Sequence, residues 1–498
     1  MATEDEPTPR KELNIVWEGI EKRLSRVINE PERWLRVERV IDDSTFYYIS
    51  DGYNEDSSLK LKKANIFGDN VKEVQDLGKN ASSLRWVGEK LYYLQGGKIR
   101  WYDLDKRSKG ELSTEFDYTY STSLLNTRVF EEVWGVFGLN FYDPNMHGQN
   151  WQALYELYHP YANRARSIED ISSIVNEMIG DVNASHTGFY PRREGYSPRG
   201  GQPAYLGVEF DYREVLPQGI RLRAVYPTSR LATFYGIRAG DILTHIDGSP
   251  ITPATPLDSL LADKTGKRIH LNFIANGEEK EAVQEGLNWE KNRALLYEYK
   301  VSCSRAEVDQ LTGGRVGYIH IPAMGDNNFT NFQRELFRDN VDKEALIIDV
   351  RGNTGGHVHD QIISLLNKTP YALSTSRRYS GQQNLEPRRA WTRPSIVLAD
   401  ENSFSDGEIF PIVYQELKLG KVVGKPSSGS VIGTWEYNLL DGSSMRLPGS
   451  GWYKLDGTNM EGSGVQPDIV VEISPEDEIA GRDTQLWRAI EEILKELP

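Results

Sequence analysis

Two short, predominantly apolar runs, Ala345–Val350 and Ile396–Ala399, most constrain what this chain can fold into. Each is far below the roughly 18 residues that a membrane helix needs. Each also runs straight into a polar or glycine-rich turn followed by helical periodicity, the reading expected of a strand buried on both faces. Arg315–Ile321 is a third such run, while Val358–Leu366 and Ile409–Leu419 carry helical spacing. From about residue 296 the order is therefore strand, loop, helix, repeated, and it predicts an α/β-layered domain over 289–498. Pro411 should distort the first turns of the later helix. Sites in such sheets collect at strand C-terminal ends, where helix N-termini also point.

Two strand-to-helix junctions carry candidate chemistry. The first is Asp349-Val350-Arg351-Gly352-Asn353-Thr354-Gly355-Gly356. Its glycines let backbone N–H groups converge on a phosphate or an oxyanion, and a plain tight turn is the bland alternative. A nucleotide loop would end in Gly-Lys-Ser/Thr, whereas Gly356 is followed by His357, which counts against phosphate. The second junction, Ala399-Asp400-Glu401-Asn402-Ser403-Phe404-Ser405-Asp406-Gly407-Glu408, puts Ser405 just before a helix. There it is either a helix cap or a nucleophile, although the G-x-S-x-G string is absent. A nucleophile needs a base. His186 lies in Asp181-Val182-Asn183-Ala184-Ser185-His186-Thr187-Gly188, after a predicted helix, and reads as a turn histidine or as that base. His357 and His359 lack an acid-rich or H-E-x-x-H context, so no metal and no organic cofactor are expected.

The rest of the chain adds domains and exclusions. Its 498 residues carry 58 Lys+Arg against 73 Asp+Glu, a formal charge of −15, which disfavours phosphate-driven nucleic-acid binding. One cysteine, Cys303, excludes an internal disulfide. The start, MATEDEPTPRKE, lacks the basic-then-apolar order of a signal peptide, so a cytoplasmic location and no membrane partner are expected. Residues 1–34 read as a charged extension with a short helix around Ile15–Ile28. Over 35–118, Phe46–Ser50 and Leu91–Gln95 are similar aromatic strands 45 positions apart. That period suits truncated β-propeller-like blades, with two ordinary hairpins as the alternative. Residues 119–200 form a mixed helical domain, with amphipathic spacing at Arg128–Phe141, Trp151–Tyr158 and Ile168–Ile179. Pro191–Pro203 reads as a linker. Residues 201–288 are a compact β module in which Gly236–Gly248 resembles the PDZ signature, either a peptide-capture groove or a spacer. The whole is a multidomain α+β chain.

Taken in order, these features resemble the C-terminal half of the tricorn proteases, within the serine peptidase family that includes the C-terminal processing proteases. The motifs are D-V-N-x-S-H with Ser185 and His186, D-V-R-G-N-x-G-G with Gly355 and Gly356, N-x-x-S-D-G with Ser405 and Asp406, and E-G-x-G-V-x-P-D with Glu461 and Asp468. The resemblance implies a serine peptidase of oligopeptides with Ser405 as nucleophile and His186 as base. Ser185 and Glu461 would complete the tetrad. The backbone N–H groups of Asp406 and of Gly355 or Gly356 would form the oxyanion hole. It also implies a homo-oligomer, commonly a hexamer. The family's acidic residue for basic side chains has no clear counterpart in Pro370–Arg389.

Two alternatives stay open at this stage. One is the Ser/Lys dyad of the C-terminal processing proteases, for which Lys418, Lys421 and Lys425 follow Ser405. The other is a non-catalytic protein that keeps the fold and binds peptide or apolar ligands through its PDZ-like module.

Overall fold

The computed structural model describes residues 17–18, 27–28, 34–42, 44–51, 58–113, 119–192, 203–375 and 383–498. The helix expected around Ile15–Ile28 and the linker at 191–203 fall largely outside the described residues. The chain divides into two compact units, Met1–Thr119 and Tyr120–Pro498.

The first unit holds two four-stranded antiparallel meanders. One runs Trp34–Val40, Thr45–Asp51, Leu59–Asn65 and Lys72–Gly78, and the other Ser82–Val87, Lys90–Gln95, Lys98–Asp103 and Ser108–Glu111. Both aromatic runs are therefore inner strands of four-stranded sheets, not arms of separate hairpins. Tyr47, Ile49, Leu61 and Leu77 of the first sheet share an apolar cluster with Leu91, Tyr93 and Tyr102 of the second.

The second unit begins with three helices, Thr122–Asn140, Trp151–Ala162 and Ile168–Gly180. Their stripes, including Val129, Phe130, Val133, Phe137, Ile171, Val175 and Met178, close one core. Ser167 and Asp170 form a capping box at the start of the third helix, which ends one residue before Asp181. An antiparallel sheet follows in the order Val208–Leu216, Gly219–Val225, Ile242–Ile246, Arg268–Ala275, Glu278–Glu285. It has its own core around Ile220, Leu243, Ile246, Leu271 and Phe273.

The α/β part is a parallel sheet in the order Val316–His320, Ala345–Asp349, Ser395–Ala399, Val422–Gly424, Ile469–Val470. Ala345–Asp349 and Ser395–Ala399 are buried at every residue, as expected of predominantly apolar strands covered on both faces, with Asp349 and Ser395 as the polar exceptions. Helices His359–Leu366 and Asp406–Glu416 follow the second and third strands. The latter starts three residues earlier than the periodicity suggests and continues through Pro411. Its N-terminal turn is polar and glycine-bearing, so apolar spacing does not mark where it begins.

Two features escape the sequence reading. A helix over Trp289–Thr312 buries only Val308 and Thr312 among its residues, so no apolar stripe betrays it. A three-stranded antiparallel sheet joins Gly188–Tyr190 to Ser444–Gly451, which pairs in turn with Ile432–Asn438. The register Gly188↔Arg446, Phe189↔Met445 and Tyr190↔Ser444 clasps the segment just after His186 to the C-terminal part of the chain.

Candidate active site

The two strand-to-helix junctions meet. A Cβ built on Gly355 would lie 2.7 Å from the Ser405 Cβ and 3.3 Å from its Oγ, and Gly355 holds φ +83°. Only glycine allows that approach at that backbone angle. Phe404 N–H donates to the Asn353 carbonyl (2.9 Å), which fastens one junction to the other. Ser405 itself has φ 56° and ψ −120°, outside the regions favoured by side-chain-bearing residues. It is held there by its neighbours. Its N–H points to Glu408 Oε1 (3.3 Å), three residues on, and Glu408 N–H returns to the Ser405 carbonyl (2.8 Å).

Glu408 is fully buried and acts as a hub. Its carboxylate accepts from the N–H groups of Gly429 (2.7 Å) and Ser430 (2.7 Å) and from the Ser427 hydroxyl. Burial pushes its pKa up, and these donors oppose that shift. The residue was detectable in principle, because Ser405-Asp406-Gly407-Glu408 has the spacing of a capping box.

The imidazole arrives from the other side. His186 sits in the turn between the third helix and Gly188–Tyr190, and its ring stacks on Phe404 with centroids 4.5 Å apart. Glu461 accepts from Ser185 twice, from the N–H at Oε1 (2.7 Å) and from the hydroxyl at Oε2 (3.0 Å). Val431 N–H adds a third donor at Oε2 (2.8 Å). The one hydroxyl proton of Ser185 is thus directed to the carboxylate, so His186 Nδ1, 2.8 Å from Ser185 Oγ, must be the donor in that contact. The ring's lone pair is left on Nε2. That atom is buried and has no hydrogen-bond partner among the described residues. Burial first, and then the positive charge of Arg446, push the His186 pKa down to about 4.

A further set of bonds ties the loops together. Asn459 Oδ1 accepts from Glu461 N–H (3.1 Å), and Asn459 Nδ2 donates to Tyr142 Oη (3.2 Å). Tyr142 Oη lies 2.6 Å from His147 Nε2, and His147 Nδ1 contacts the Val182 carbonyl (3.1 Å). Residues 142 and 147 lie some 40 positions before His186, and nothing in their local pattern signals this role.

The two glycines separate cleanly. Gly355 N–H donates to Asn353 Oδ1 (2.8 Å). Gly356 presses its backbone on Met324, where an added Cβ would come within 2.0 Å of the carbonyl oxygen, and its own N–H has no partner among the described residues. Asp406 is the first residue of its helix, so its N–H is one of the groups a helix start leaves over. Its carboxylate is engaged instead, by His359 Nδ1 and by His359 N–H (3.1 Å).

The lysines of the dyad alternative are placed elsewhere. Lys421 pairs with Glu492 (2.8 Å), Lys425 with Glu472 (2.9 Å) and Glu401 (3.1 Å). Lys418 follows the far end of the helix that Ser405 begins. Asp468 accepts from Val422 N–H (2.7 Å) and Gln415 Nε2 (3.1 Å), a structural brace. Among the described residues no group of three or more His, Cys, Asp or Glu side chains could hold a metal, and no helix is long and apolar enough to cross a membrane.

Residues 315–471 match Peptidase family S41, and residues 126–180 match the Tricorn protease C1 domain. Two Streptomyces coelicolor proteins named as tricorn protease homologues are similar. One is 30% identical over 424 residues, covering 81% of this chain and 35% of its own; the other is 28% identical over 441 residues, covering 84% and 40%. The Tricorn protease of Thermoplasma acidophilum is 26% identical over 441 residues, covering 86% of this chain and 40% of its own. The chain thus spans well under half the length of these relatives. The crystal structure of the tricorn protease superposes with a TM-score of 0.79 at 23% identity, over 93% of this chain and 46% of that one, a likeness of fold. The chain thus carries a match to Peptidase family S41 over 315–471 and to the Tricorn protease C1 domain over 126–180, and it shares its fold with the tricorn protease.

Proposed function

We propose that this chain hydrolyses peptide bonds in oligopeptides, with Ser405 as nucleophile and His186 as general base. The observation that carries this reading is the bonded line Glu461–Ser185–His186, which leaves an unpartnered Nε2 lone pair on a ring stacked against the residue preceding Ser405. A serine hydroxyl is a weak nucleophile until such a base removes its proton.

The steps follow from that arrangement. Ser405 Oγ adds to the carbonyl carbon as its proton passes to His186 Nε2. Negative charge collects on the former carbonyl oxygen, where the N–H groups of Gly356 and Asp406 are the donors left over for it; Gly355 is already committed to Asn353. Collapse breaks the C–N bond, and the leaving amine takes the proton from His186. Water then attacks the Ser405 ester by the same path in reverse, giving the acid and restoring the hydroxyl. Ser185 and Glu461 hold the ring in the tautomer this requires and stabilise the imidazolium as it forms. A homo-oligomer, as in the resemblance, is part of the same proposal and is read by light scattering on the purified chain.

The test is covalent labelling with a fluorophosphonate alongside hydrolysis of short fluorogenic peptides. Label on Ser405, and loss of turnover by about 10⁴-fold or more in Ser405→Ala and in His186→Ala with the fold retained, are the expected results. An unlabelled Ser405 in a folded chain would instead mark a binding protein.

A further inference from the structure

The solvent face of the clasping sheet holds an arginine for which the mechanism above has no use. Alternation along the strands puts Thr434, Glu436, Ser444, Arg446, Gly188 and Tyr190 on one face, because directly paired residues share a side. These residues, less Gly188 and with Trp435 at the rim, line a shallow concavity of about 550 Å³. Arg446 is in register with Gly188, two positions beyond His186, and its charge is the one that acts on the imidazole. The concavity therefore lies along the strand that begins two residues after the base.

Arg446 is unusual in its pairing. Its Nε donates to Thr434 Oγ1 (3.0 Å), and among the described residues it has no carboxylate partner. Glu436 stands opposite it in the ladder yet makes no ion pair with it. A guanidinium fixed at one nitrogen keeps its other donors in a planar fork suited to a carboxylate. The hydroxyls of Ser444 and Tyr190 line the same hollow, and Tyr190 folds its phenol back over Gly188, whose built Cβ would lie 2.7 Å from that oxygen.

The imidazole must pass its proton to the departing amine, so the leaving portion of a peptide lies on the His186 side. We propose that Arg446, with Ser444 and Tyr190, binds a carboxylate carried by the leaving portion of the substrate. This rests on the peptidase reading above. The carboxylate is either the peptide's own C-terminus or an Asp or Glu side chain near it, and the chemistry recognised is the same.

Binding separates this from catalysis. In Ser405→Ala, fluorescent peptides of one sequence are compared by anisotropy as free acid, as C-terminal amide, and as amide with an added Glu in the leaving portion. The free acid or the Glu-bearing amide should bind about 10–100-fold more tightly than the plain amide, and whichever does so identifies the source. Arg446→Gln should erase that difference, and Arg446→Lys should restore part of it, which shows that the sheet still folds. Equal binding of all three peptides, or a preference that survives Arg446→Gln, would overturn the site. Discrimination by Ser405→Ala together with no cleavage of any peptide by the unmodified chain would keep the site and defeat the peptidase reading.

Discussion

At the scale of single residues, the chemistry turns on where one proton sits. Glu461 accepts from Ser185, Ser185 accepts from His186 Nδ1, and Nε2 is left bare. Glu461→Gln keeps an oxygen for the Ser185 hydroxyl and the Val431 N–H but turns its amide N–H groups against the Ser185 N–H, which breaks that contact and removes the charge that would stabilise the imidazolium. Turnover should fall by about 10²–10⁴-fold with little change in folding, measured as kcat on a fluorogenic peptide. The same ring sets a pH dependence. With its pKa down to about 4 in the folded chain against 6.5 in a free histidine, His186 stays neutral through mildly acidic conditions. The acid limb of kcat/KM should therefore lie near pH 4, not near 6.5, and Arg446→Gln should raise it. Between those two values the unfolded chain binds a proton that the folded chain refuses, so this residue's contribution to stability falls as pH drops through that window. Ser405, His186 and Glu461 were legible as motif residues, but the direction of each bond was not. It depends on residues some 276 positions apart facing each other, as Ser185 and Glu461 do.

At the scale of elements, glycines and buried carboxylates decide how closely the junctions approach. Gly355→Ala would drive a methyl to 2.7 Å from the Ser405 Cβ at a φ of +83°, and should destabilise the fold by about 1–3 kcal/mol while lowering labelling of Ser405. Chemical denaturation and probe kinetics read the two effects separately. Glu408→Ala would orphan donors at Gly429, Ser430 and Ser427 at once, and a loss of at least about 3 kcal/mol is expected from the denaturation midpoint. The parallel strands and amphipathic helices were readable because burial on both faces, or on one stripe, leaves a period in the sequence. The Trp289–Thr312 helix left none. It works as a strap: Asn292 Oδ1 takes the N–H of Gly207 (3.1 Å) and Glu298 takes the Thr228 hydroxyl (2.8 Å), while Val308 joins the core under the parallel sheet. Polar contacts along its length, with Val301 and Val308 as its part in that core, leave no regular apolar stripe to detect.

At the scale of the whole molecule, every residue of the proposed machinery belongs to the unit Tyr120–Pro498. A chain beginning at residue 120 should fold and react with a small fluorophosphonate at a rate within about threefold of the full chain. Loss of labelling in that folded fragment would show that residues 1–119 help to build the site. The 45-residue spacing of the aromatic strands was visible in sequence, and each proved to be an inner strand of a four-stranded sheet. The clasp between Gly188–Tyr190 and Ser444–Gly451 was not foreseeable, since three paired residues make too short a strand to leave alternation.

That clasp has a consequence for how the chain is born. Synthesis runs from the N-terminus, and His186 emerges long before its partners. The strand that receives it and the carboxylate that orients it come only with residues 444–461 of a 498-residue chain. A nascent polypeptide that has passed Ser405 but not yet reached residue 444 holds the serine and the histidine without the strand and carboxylate that fix the imidazole, so on the proposed reading the pair is assembled only once residues 444–461 have been made.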